Sequence, residues 1–327
     1  MKHGFWSQLP RPIFALAPMA NVTDAAFRRM FAKYGKPTVL WTEFVSVEGL
    51  CSEGRGRLLT DLWFVEAERP IVAQIFGTHP AQFEETATLV AELGFDGIDI
   101  NMGCPDKNVE KQGAGAALIN NPTLAREIIQ ATKQGARGLP VSVKTRIGHR
   151  RNQIDEWLPV LLGEDLAALT VHLRTRKEMS DVPAHWELAP QIATMRTELA
   201  PETILLGNGD ISSLSIGEAM CQSTGFDGVM IGRGAFGSPW FFSGAEPTVE
   251  ARLRLLVEHA ELFESLYHTD TDKQHGKLKN FEVMKKHFKA YIGGVPGAKE
   301  LRLALMETEN AIQVRALIER FIARMVS

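Results

Sequence analysis

The run GIDINMGCP, residues 97 to 105, joins an apolar, strand-like segment to a polar loop. Asn101 and Cys104 fall where the apolar segment ends, and Pro105 follows them. Seven further short runs with β-strand composition occur along the chain. The eight runs are IFALAPM 13–19, TVLWTEF 38–44, IVAQIFG 71–77, GIDINMG 97–103, VSVKTRIG 141–148, ALTVHLRT 168–175, ILLGNGD 204–210 and GVMIGRG 228–234.

Segments with helical periodicity separate these runs. PAQFEETATLVAELG 80–94 and NPTLAREIIQATKQG 121–135 carry apolar residues at three- and four-residue spacing, with glycine near the end. Eight successive βα units match the (β/α)₈ barrel in number and length, whereas a doubly wound sheet usually has fewer strands and a switch point. We therefore predict an α/β fold, a (β/α)₈ TIM barrel that occupies residues 1–243.

Polar residues concentrate at the carboxyl ends of the predicted strands. They are Gln74, Asn101, Cys104, Lys144, Arg146, His172, Arg174, Asn208, Asp210 and Arg233. A barrel of this kind builds its active site at that rim, from the ends of several strands. Because strand side chains alternate between two faces, Lys144 and Arg146 point the same way, and so do His172 and Arg174. The pattern predicts one cavity with an anionic occupant.

The remainder of the chain differs from the barrel. Pro239, Gly244 and Pro247 interrupt the repeat, and residues 248–327 show helical periodicity, which predicts a small all-helical C-terminal domain. Its segment 272–291 is rich in basic residues interleaved with aromatic ones: Lys273, His275, Lys277, Lys279, Lys285, Lys286, His287 and Lys289. This composition is typical of a solvated helix face or of a nucleic-acid surface.

Composition limits the classes of function. The 327 residues are 45% hydrophobic and 23% charged, with a net charge of −3, so a nucleic-acid surface would have to be a local patch. The three cysteines form no C-x-x-C pair, which argues for a reducing compartment and against a cysteine-based metal site. Cys51 and Cys221 have the sequence context of inert thiols. With no secretory or membrane-spanning segment, we expect a cytoplasmic protein that binds neither membrane nor metal.

Two glycine-rich loops follow the last two predicted strands. IGRGAFG 231–237 satisfies the dinucleotide pattern G-x-G-x-x-G, but no later strand carries a ribose-binding acid. In a barrel, the loops after strands seven and eight commonly bind phosphate, and GNGDISS 207–213 is the other such loop. Together with Arg233 they favour a phosphate-bearing cofactor. For Lys144 the residues alone leave three roles open: a Schiff-base amine, a cation that stabilises an anion, or an ion-pair partner.

The motifs occur in an order that resembles the tRNA-dihydrouridine synthases. They are LAPMANVTDAAFR, TEF, QIFG, DINMGCPDKNVEKQGAGAAL, VKTRIG, VHLRTR, GNGD and DGVMIGRGAFGSPW. The resemblance implies an oxidoreductase that reduces the C5–C6 double bond of particular D-loop uridines in tRNA. It also implies tightly bound FMN that is reduced by NADPH, and a C-terminal domain, residues 248–327, that binds tRNA. We expect a monomer. The alternative is an FMN-dependent barrel enzyme that acts on a small molecule such as dihydroorotate or an enoate.

Carried over by position, the resemblance gives each site residue a role. The residues expected at the cofactor are Ala17, Pro18, Met19, Gln74, Lys144, His172, Asn208, Gly209, Asp210, Gly232 and Arg233. Those expected at the RNA substrate are Asn101, Arg146, Arg174, Lys279, Lys285 and Lys286. Cys104 matches the catalytic proton donor. Hydride addition at C6 of uracil requires a proton at C5, and we expect neighbouring cations to lower the pKa of the thiol that supplies it. Beside a flavin, Lys144 would act as a stabilising cation rather than a Schiff base.

Overall fold

The computed structural model describes residues 3–268 and 278–326. Eight strands form one parallel sheet: β1 (Ile13–Leu16), β2 (Leu40–Ser46), β3 (Ile71–Phe76), β4 (Gly97–Met102), β5 (Val141–Arg146), β6 (Ala168–His172), β7 (Ile204–Asn208) and β8 (Gly228–Ile231). Seven of the eight predicted runs contain one of these strands, and in each of them the strand ends one to three residues before the run does. The exception is β2, which begins within its run but extends two residues beyond residue 44.

The sheet closes on itself. Its order is β1-β8-β7-β6-β5-β4-β3-β2, and an isolated bridge between Ala15 and Val39 joins the first strand to the segment that enters β2. The backbone N–H of Thr38 donates to the carbonyl of Phe14 at 2.8 Å beside that bridge. The predicted (β/α)₈ barrel is therefore confirmed.

Helices alternate with the strands and then continue alone. The α-helices of the described residues are α1 (Ala25–Tyr34), α2 (Val47–Leu50), α3 (Arg55–Leu58), α4 (Pro80–Glu92), α5 (Lys107–Lys111), α6 (Pro122–Gly135), α7 (Ile154–Leu162), α8 (Ala189–Leu199), α9 (Leu214–Thr224), α10 (Val249–Tyr267), α11 (Glu282–Tyr291), α12 (Ala298–Met306) and α13 (Ala311–Val326). Short 3₁₀ helices span Gly4–Gln8, Leu59–Leu62, Glu66–Glu68, Gly115–Asn120, Trp186–Leu188, Arg233–Ala235 and Phe241–Ser243.

Local chemistry sets several helix starts. Asn121 accepts a hydrogen bond from the backbone N–H of Leu124 at the start of α6, and Pro122 occupies the first helical position, where no N–H is needed. Ser213 caps α9 in the same way through the N–H of Ile216. These caps fix where the loops after β4 and β7 end, and those loops carry predicted site residues.

The amino-terminal end of the barrel is filled by apolar side chains. Trp6 is 1% exposed, and its ring lies 5.8 Å from that of Trp41 inside the barrel. Ile13, Ala15 and Val72 belong to the same buried cluster. Burial of this apolar surface stabilises the barrel and leaves its polar residues to the opposite end.

The chain divides into two compact units. One comprises residues 1–19 and 37–234, and the other comprises residues 20–36 and 235–327. These ranges differ from the predicted 1–243 and 248–327, since α1 joins the helical unit. The reason is packing: Ala26 and Met30 of α1 belong to the buried cluster formed with α10, α11 and α13. A helix that precedes β2 in sequence thus completes the core of the second unit.

Candidate functional site

A cavity of about 590 Å³ opens at the carboxyl ends of the strands. Such a volume lies in the usual range for small-molecule and cofactor sites. The lining residues are Ala17, Pro18, Met19, Lys144, His172, Arg174, Ser180, Asn208, Gly209, Asp210, Ile211, Ser212, Met230, Ile231, Gly232, Arg233 and Gly234. Ten of the eleven residues predicted at the cofactor are in this set, and Gln74 is not among the described lining residues. Arg174, predicted at the substrate, lines the cavity too.

Parallel register brings Lys144, His172 and Asn208 together. Arg146 on β5 pairs with His172 on β6, which in turn pairs with Asn208 on β7. The Lys144 Nζ donates to Asn208 Oδ1 at 3.2 Å, and Asn208 Nδ2 donates to the carbonyl of Met230 at 2.7 Å. The contact with Met230 fixes which way the Asn208 amide faces, so its oxygen is turned toward the lysine.

A carboxylate between two arginines forms one wall of the cavity. Asp210 accepts hydrogen bonds from Arg174 and, at 3.1 Å, from Arg233. The Arg174 guanidinium, 2% exposed, also donates to the carbonyl of Val182 at 2.6 Å. The hydrogen bond from Arg174 lowers the pKa of Asp210, which therefore stays ionised at neutral pH. Arg233 is exposed, so its guanidinium can reach a ligand.

The cavity carries an excess of positive charge. Lys144, Arg174 and Arg233 face a single lining carboxylate, that of Asp210. Burial, followed by the charge of Arg146, lowers the pKa of Lys144 to about 8. The amine is therefore protonated at pH 7, but nearby anions neutralise its positive charge only in part. An anionic ligand would relieve that cost. The arrangement favours a phosphate-bearing or otherwise anionic occupant.

His172 is neutral in this setting. Burial and then the charges of Lys144, Arg146 and Arg174 lower its pKa well below the ordinary value. Arg174 Nη1 lies 3.2 Å from His172 Nε2, and a guanidinium can only donate. The Nε2 atom is therefore the acceptor, and the proton of the neutral ring is on Nδ1.

The loop after β4 holds Cys104 through its backbone. Asn101 Oδ1 accepts from the N–H groups of Gly103 at 3.1 Å and Cys104 at 2.9 Å, and the Cys104 carbonyl accepts from Ala116 at 3.0 Å. Gly115 has φ +61°, and a Cβ at that position would lie 2.8 Å from the Cys104 carbonyl oxygen. Only glycine fits there. The trailing glycines of the motif thus let the chain return against the cysteine.

The electrostatics of Cys104 differ from the expectation. Burial raises the pKa of the half-buried thiol, and this effect exceeds the opposing charges of Lys144 and Arg146. The prediction that neighbouring cations lower its pKa was therefore wrong in net direction. A raised pKa keeps the thiol protonated at neutral pH, which suits an acid rather than a nucleophile.

Two residues predicted at the substrate, Arg146 and Asn101, also make hydrogen bonds within the protein. Arg146, 5% exposed, donates to the carbonyl of Gly103 at 2.9 Å and to those of Thr175 and Met179 at 3.0 Å each. Through these hydrogen bonds Arg146 links the loop after β4 to the loop after β6. Asn101 is buried and bonded as described above. These contacts show that both residues support the rim loops, and their contact with the uridine or its phosphates stays a prediction.

Sequence reasoning missed two acidic residues, one on α5 and one on β4. Glu110 on α5 accepts from His149 Nε2 at 2.9 Å and from Arg176, so it ties the Cys104 loop to two other rim loops. No local signal predicts those long-range partners. Asp99, two residues before Asn101, is fully buried inside the barrel. Strand alternation could have found it, because it puts Asp99 and Asn101 on one face.

Only some of the described basic residues in the segment 272–291 of the helical unit are exposed. Lys286 is exposed, whereas Lys285 pairs with Glu282 at 2.5 Å and Lys279 lies over the ring of Tyr267 at 5.4 Å. His287 is fully buried, so its inclusion in a surface patch was wrong. The helical period turns it toward the core. Lys273, His275 and Lys277 lie outside the described residues.

Residues 3–268 and 278–326 contain no helix with the length and apolar character needed to cross a membrane. Nor do they contain a group of three or more His, Cys, Asp or Glu side chains that could hold a metal ion.

The fold and site define a barrel protein whose cavity, at the carboxyl ends of the strands, is built for an anionic ligand. Solved structures with the same fold include 6-hydroxypseudooxynicotine amine oxidase from Pseudomonas geniculata N1 (TM-score 0.54, 13% identity, 85% of this chain and 53% of that chain). Another is histamine dehydrogenase from Rhizobium sp. 4-9 (TM-score 0.53, 12% identity, 80% and 51%). At such identities the likeness concerns the fold alone.

Sequence comparison gives the family. The model of the family described as "Dihydrouridine synthase (Dus)" matches residues 15–326. A probable tRNA-dihydrouridine synthase of Staphylococcus aureus (strain MRSA252) is 47% identical over 99% of this chain and 98% of its own length. Probable tRNA-dihydrouridine synthase 2 of Bacillus subtilis (strain 168) is 44% identical over 98% and 97%. The chain belongs to the dihydrouridine synthase family and is an oxidoreductase.

Proposed function

We propose that this protein reduces the C5–C6 double bond of uridines in the D-loop of tRNA, with FMN as its bound cofactor and NADPH as the reductant. One observation supports this most strongly: a single cationic cavity collects ten of the residues expected to hold FMN. Family membership supports the RNA substrate, since the relatives named above are called tRNA-dihydrouridine synthases.

The residues present fit FMN. Ala17, Pro18 and Met19 offer a small, apolar surface for a flat ring system, while Arg233 and the glycine-rich loops offer a phosphate site. At Gly232 a Cβ would meet no protein atom closer than 3.5 Å, so bare backbone faces the space a ligand would take. Asp210 would share Arg233 with the phosphate, and Arg174 would keep that carboxylate away from the ligand's oxygens.

The residues of this protein would stabilise charge at the reacting groups and donate the proton. FMN, when bound and reduced, supplies the hydride for C6 of uracil. Cys104 would donate a proton to C5, and its raised pKa keeps that proton in place until negative charge develops on the base. Lys144 would hold positive charge beside the flavin ring, and neutral His172 would avoid adding a further charge.

RNA has to be held outside the cavity while one base enters it. A base within folded RNA cannot reach a flavin unless it is extruded, at a cost of a few kcal/mol. We assign the grip on the RNA backbone to the helical unit, where Lys286 is exposed and Lys279 and Lys285 lie on the same segment. Binding through phosphate contacts would weaken as salt rises.

The test uses the intact purified protein. Flavin released by denaturation is identified by mass spectrometry, and unmodified tRNA is incubated with the protein and NADPH before nucleoside analysis. We expect FMN and dihydrouridine confined to the D-loop. In parallel, tRNA from cells lacking the gene should lose that dihydrouridine and regain it on complementation.

Two outcomes would contradict the proposal. Protein that carries no flavin and cannot be reconstituted with FMN would remove the cofactor. Flavin-loaded protein that leaves tRNA unchanged yet turns over dihydroorotate or an enoate would favour the small-molecule alternative.

A further inference from the structure

A buried carboxylate inside the barrel has no part in the chemistry proposed above. Asp99 of β4 is 0% exposed. Interior positions of such barrels are usually filled by branched apolar side chains. Burying a carboxylate is costly unless its oxygens are hydrogen-bonded. The contacts of Asp99 therefore indicate what the carboxylate does there.

Both oxygens of Asp99 accept short hydrogen bonds from neighbouring strands. Oδ2 accepts from Gln74 Nε2 at 2.6 Å, and Oδ1 accepts from Ser142 Oγ at 2.6 Å. These partners stand opposite Asp99 in register on β3 and β5. An ionised carboxylate only accepts, so it forces the NH₂ of Gln74 toward itself and the amide oxygen of Gln74 away.

The orientation of Gln74 fixes the next link. Its Oε1 accepts from Asn101 Nδ2 at 3.0 Å. The Asn101 oxygen is thereby turned to the backbone N–H groups of Gly103 and Cys104, which it accepts at 3.1 and 2.9 Å. If the side-chain amide of Gln74 were flipped, its NH₂ would face the NH₂ of Asn101, and the series of hydrogen bonds would be interrupted. One carboxylate thus sets the direction of every bond up to Cys104.

We propose that Asp99 is a positioning residue: through Gln74 and Asn101 it holds the backbone of the Cys104 loop in the orientation that proton donation to the substrate requires. The catalytic part of this inference rests on the function proposed above, whereas the hydrogen-bonded chain stands on the contacts alone. Burial raises the pKa of Asp99 to about 6, against hydrogen bonds from Gln74 and Ser142 and the charge of Lys144. The carboxylate is accordingly ionised at neutral pH.

Two substitutions separate the polarity of Asp99 from its volume. Asp99→Leu keeps the number and branching of the side-chain heavy atoms but removes both acceptors. Asp99→Asn retains an oxygen for Gln74 Nε2 and presents its NH₂ to Ser142 Oγ, so it should preserve the chain. Iodoacetamide alkylation of Cys104 without RNA, followed by peptide mass spectrometry, reports the loop, and the half-buried Cys51 of the same molecule is the reference thiol.

We expect alkylation of Cys104 relative to Cys51 to accelerate in Asp99→Leu by about tenfold, the loss of roughly one buried hydrogen-bond contribution. Dihydrouridine formation should fall about 10- to 100-fold in the same variant, since a displaced acid transfers its proton poorly. Asp99→Asn should keep both rates close to those of the unsubstituted protein. General unfolding would accelerate Cys51 equally, so it is recognised by an unchanged ratio with both rates raised.

If Asp99→Leu does not fold, the inference is tested by variants that reverse the direction of the hydrogen bonds between positions 99, 74 and 101. Asn101→Asp removes the donor to Gln74 Oε1 and should accelerate alkylation of Cys104. Adding Asp99→Asn lets the NH₂ at position 99 donate to Gln74 Oε1 and the Gln74 NH₂ donate to the new carboxylate, so the double variant should slow alkylation again.

The inference is overturned if folded Asp99→Leu leaves the Cys104 ratio unchanged, or if the double variant reacts no more slowly than Asn101→Asp. Failure of the proposed function is a separate result: the unsubstituted protein would form no dihydrouridine, while the alkylation series would still report whether Asp99 orders the loop.

Discussion

The barrel and the helical unit each contain a histidine whose pKa lies far below its ordinary value, but for different reasons. His172 lines a cavity, and besides burial, the charges of Lys144, Arg146 and Arg174 lower its pKa. His287 is packed 4.8 Å from the ring of His259, and burial is the main cause of its lowered pKa.

Neither ring nitrogen of His287 has a hydrogen-bond partner among the described residues, whereas His172 accepts from Arg174. A histidine with a perturbed pKa therefore marks a ligand site only when bonded groups and open space surround it. Changes in the barrel rim should therefore alter turnover and ligand affinity, and changes in the helical core should alter stability.

The largest expected effect is on turnover. Cys104→Ala removes the proposed acid and should reduce dihydrouridine formation by about 100- to 10,000-fold, while FMN content and tRNA binding stay unchanged. Single-turnover assays with pre-reduced protein measure the step. Cys221→Ala is the matched control, because that buried thiol lies on α9 away from the cavity lining. Full activity in Cys104→Ala would remove the proton-donor role.

The second effect is on cofactor affinity. Arg233→Met deletes an exposed guanidinium at the proposed phosphate site and should weaken FMN binding by about 10- to 100-fold, the usual worth of a charge-assisted hydrogen bond. Fluorescence titration of flavin-free protein measures it. Arg254→Met, on α10 beside Glu250, removes a comparable exposed arginine and should leave affinity unchanged. Equal losses in both variants would argue against a specific phosphate contact.

The third effect concerns acid stability of the helical unit. Burial lowers the pKa of His259 to about 3 and that of His287 well below 6.5. Below pH 6.5 the unfolded chain therefore binds more protons, and stability is lost as pH falls. At pH 5 each histidine should cost about 2 kcal/mol in free energy of unfolding relative to pH 7.

His287→Phe should remove its share of that acid loss, as denaturant titrations at pH 7 and pH 5 would measure. Phe288→Leu, at a neighbouring buried residue without a titratable group, is the control and should lower stability about equally at both pH values, so that the acid loss remains. If His287→Phe retains the whole acid loss, the buried ring does not cause it.

The smallest effect is expected at the RNA grip. Lys286→Gln removes one exposed cation and should weaken tRNA binding by about threefold at moderate salt and reduce the salt slope by somewhat under one unit. Binding measured at several salt concentrations tests this. Lys285→Gln, where the amine already pairs with Glu282, should change affinity less. A larger loss at Lys285 would reverse the assignment of the RNA-facing lysine.

Much of the barrel site could be predicted, because it depends on local pattern and fold geometry. Alternation along β5 and β6 places Lys144 and His172 on the inner face, and the barrel brings Asn208 beside them. The glycine loops after β7 and β8 follow from the same geometry. These features require only strand period and strand order.

What could not be predicted depends on long-range partners. Three features each involve residues far apart in sequence: the hydrogen bonds from Arg146 to three carbonyls, the ion pairs of Glu110 and the burial of His287. Helix α1 joined the second unit for a similar reason, since its apolar face suits either core. Charge and periodicity name candidates for such roles but do not choose the partner.

Among the described residues, apolar side chains around Trp6 fill the amino-terminal end of the barrel, and the cavity opens at the carboxyl ends of the strands. If the proposed function holds, a bulky nicotinamide donor and an RNA strand would both use this opening and would have to bind in turn. Double-reciprocal plots of initial rates at several fixed concentrations of the second substrate should then give parallel lines. That is the pattern of a ping-pong mechanism, in which the first product leaves before the second substrate binds.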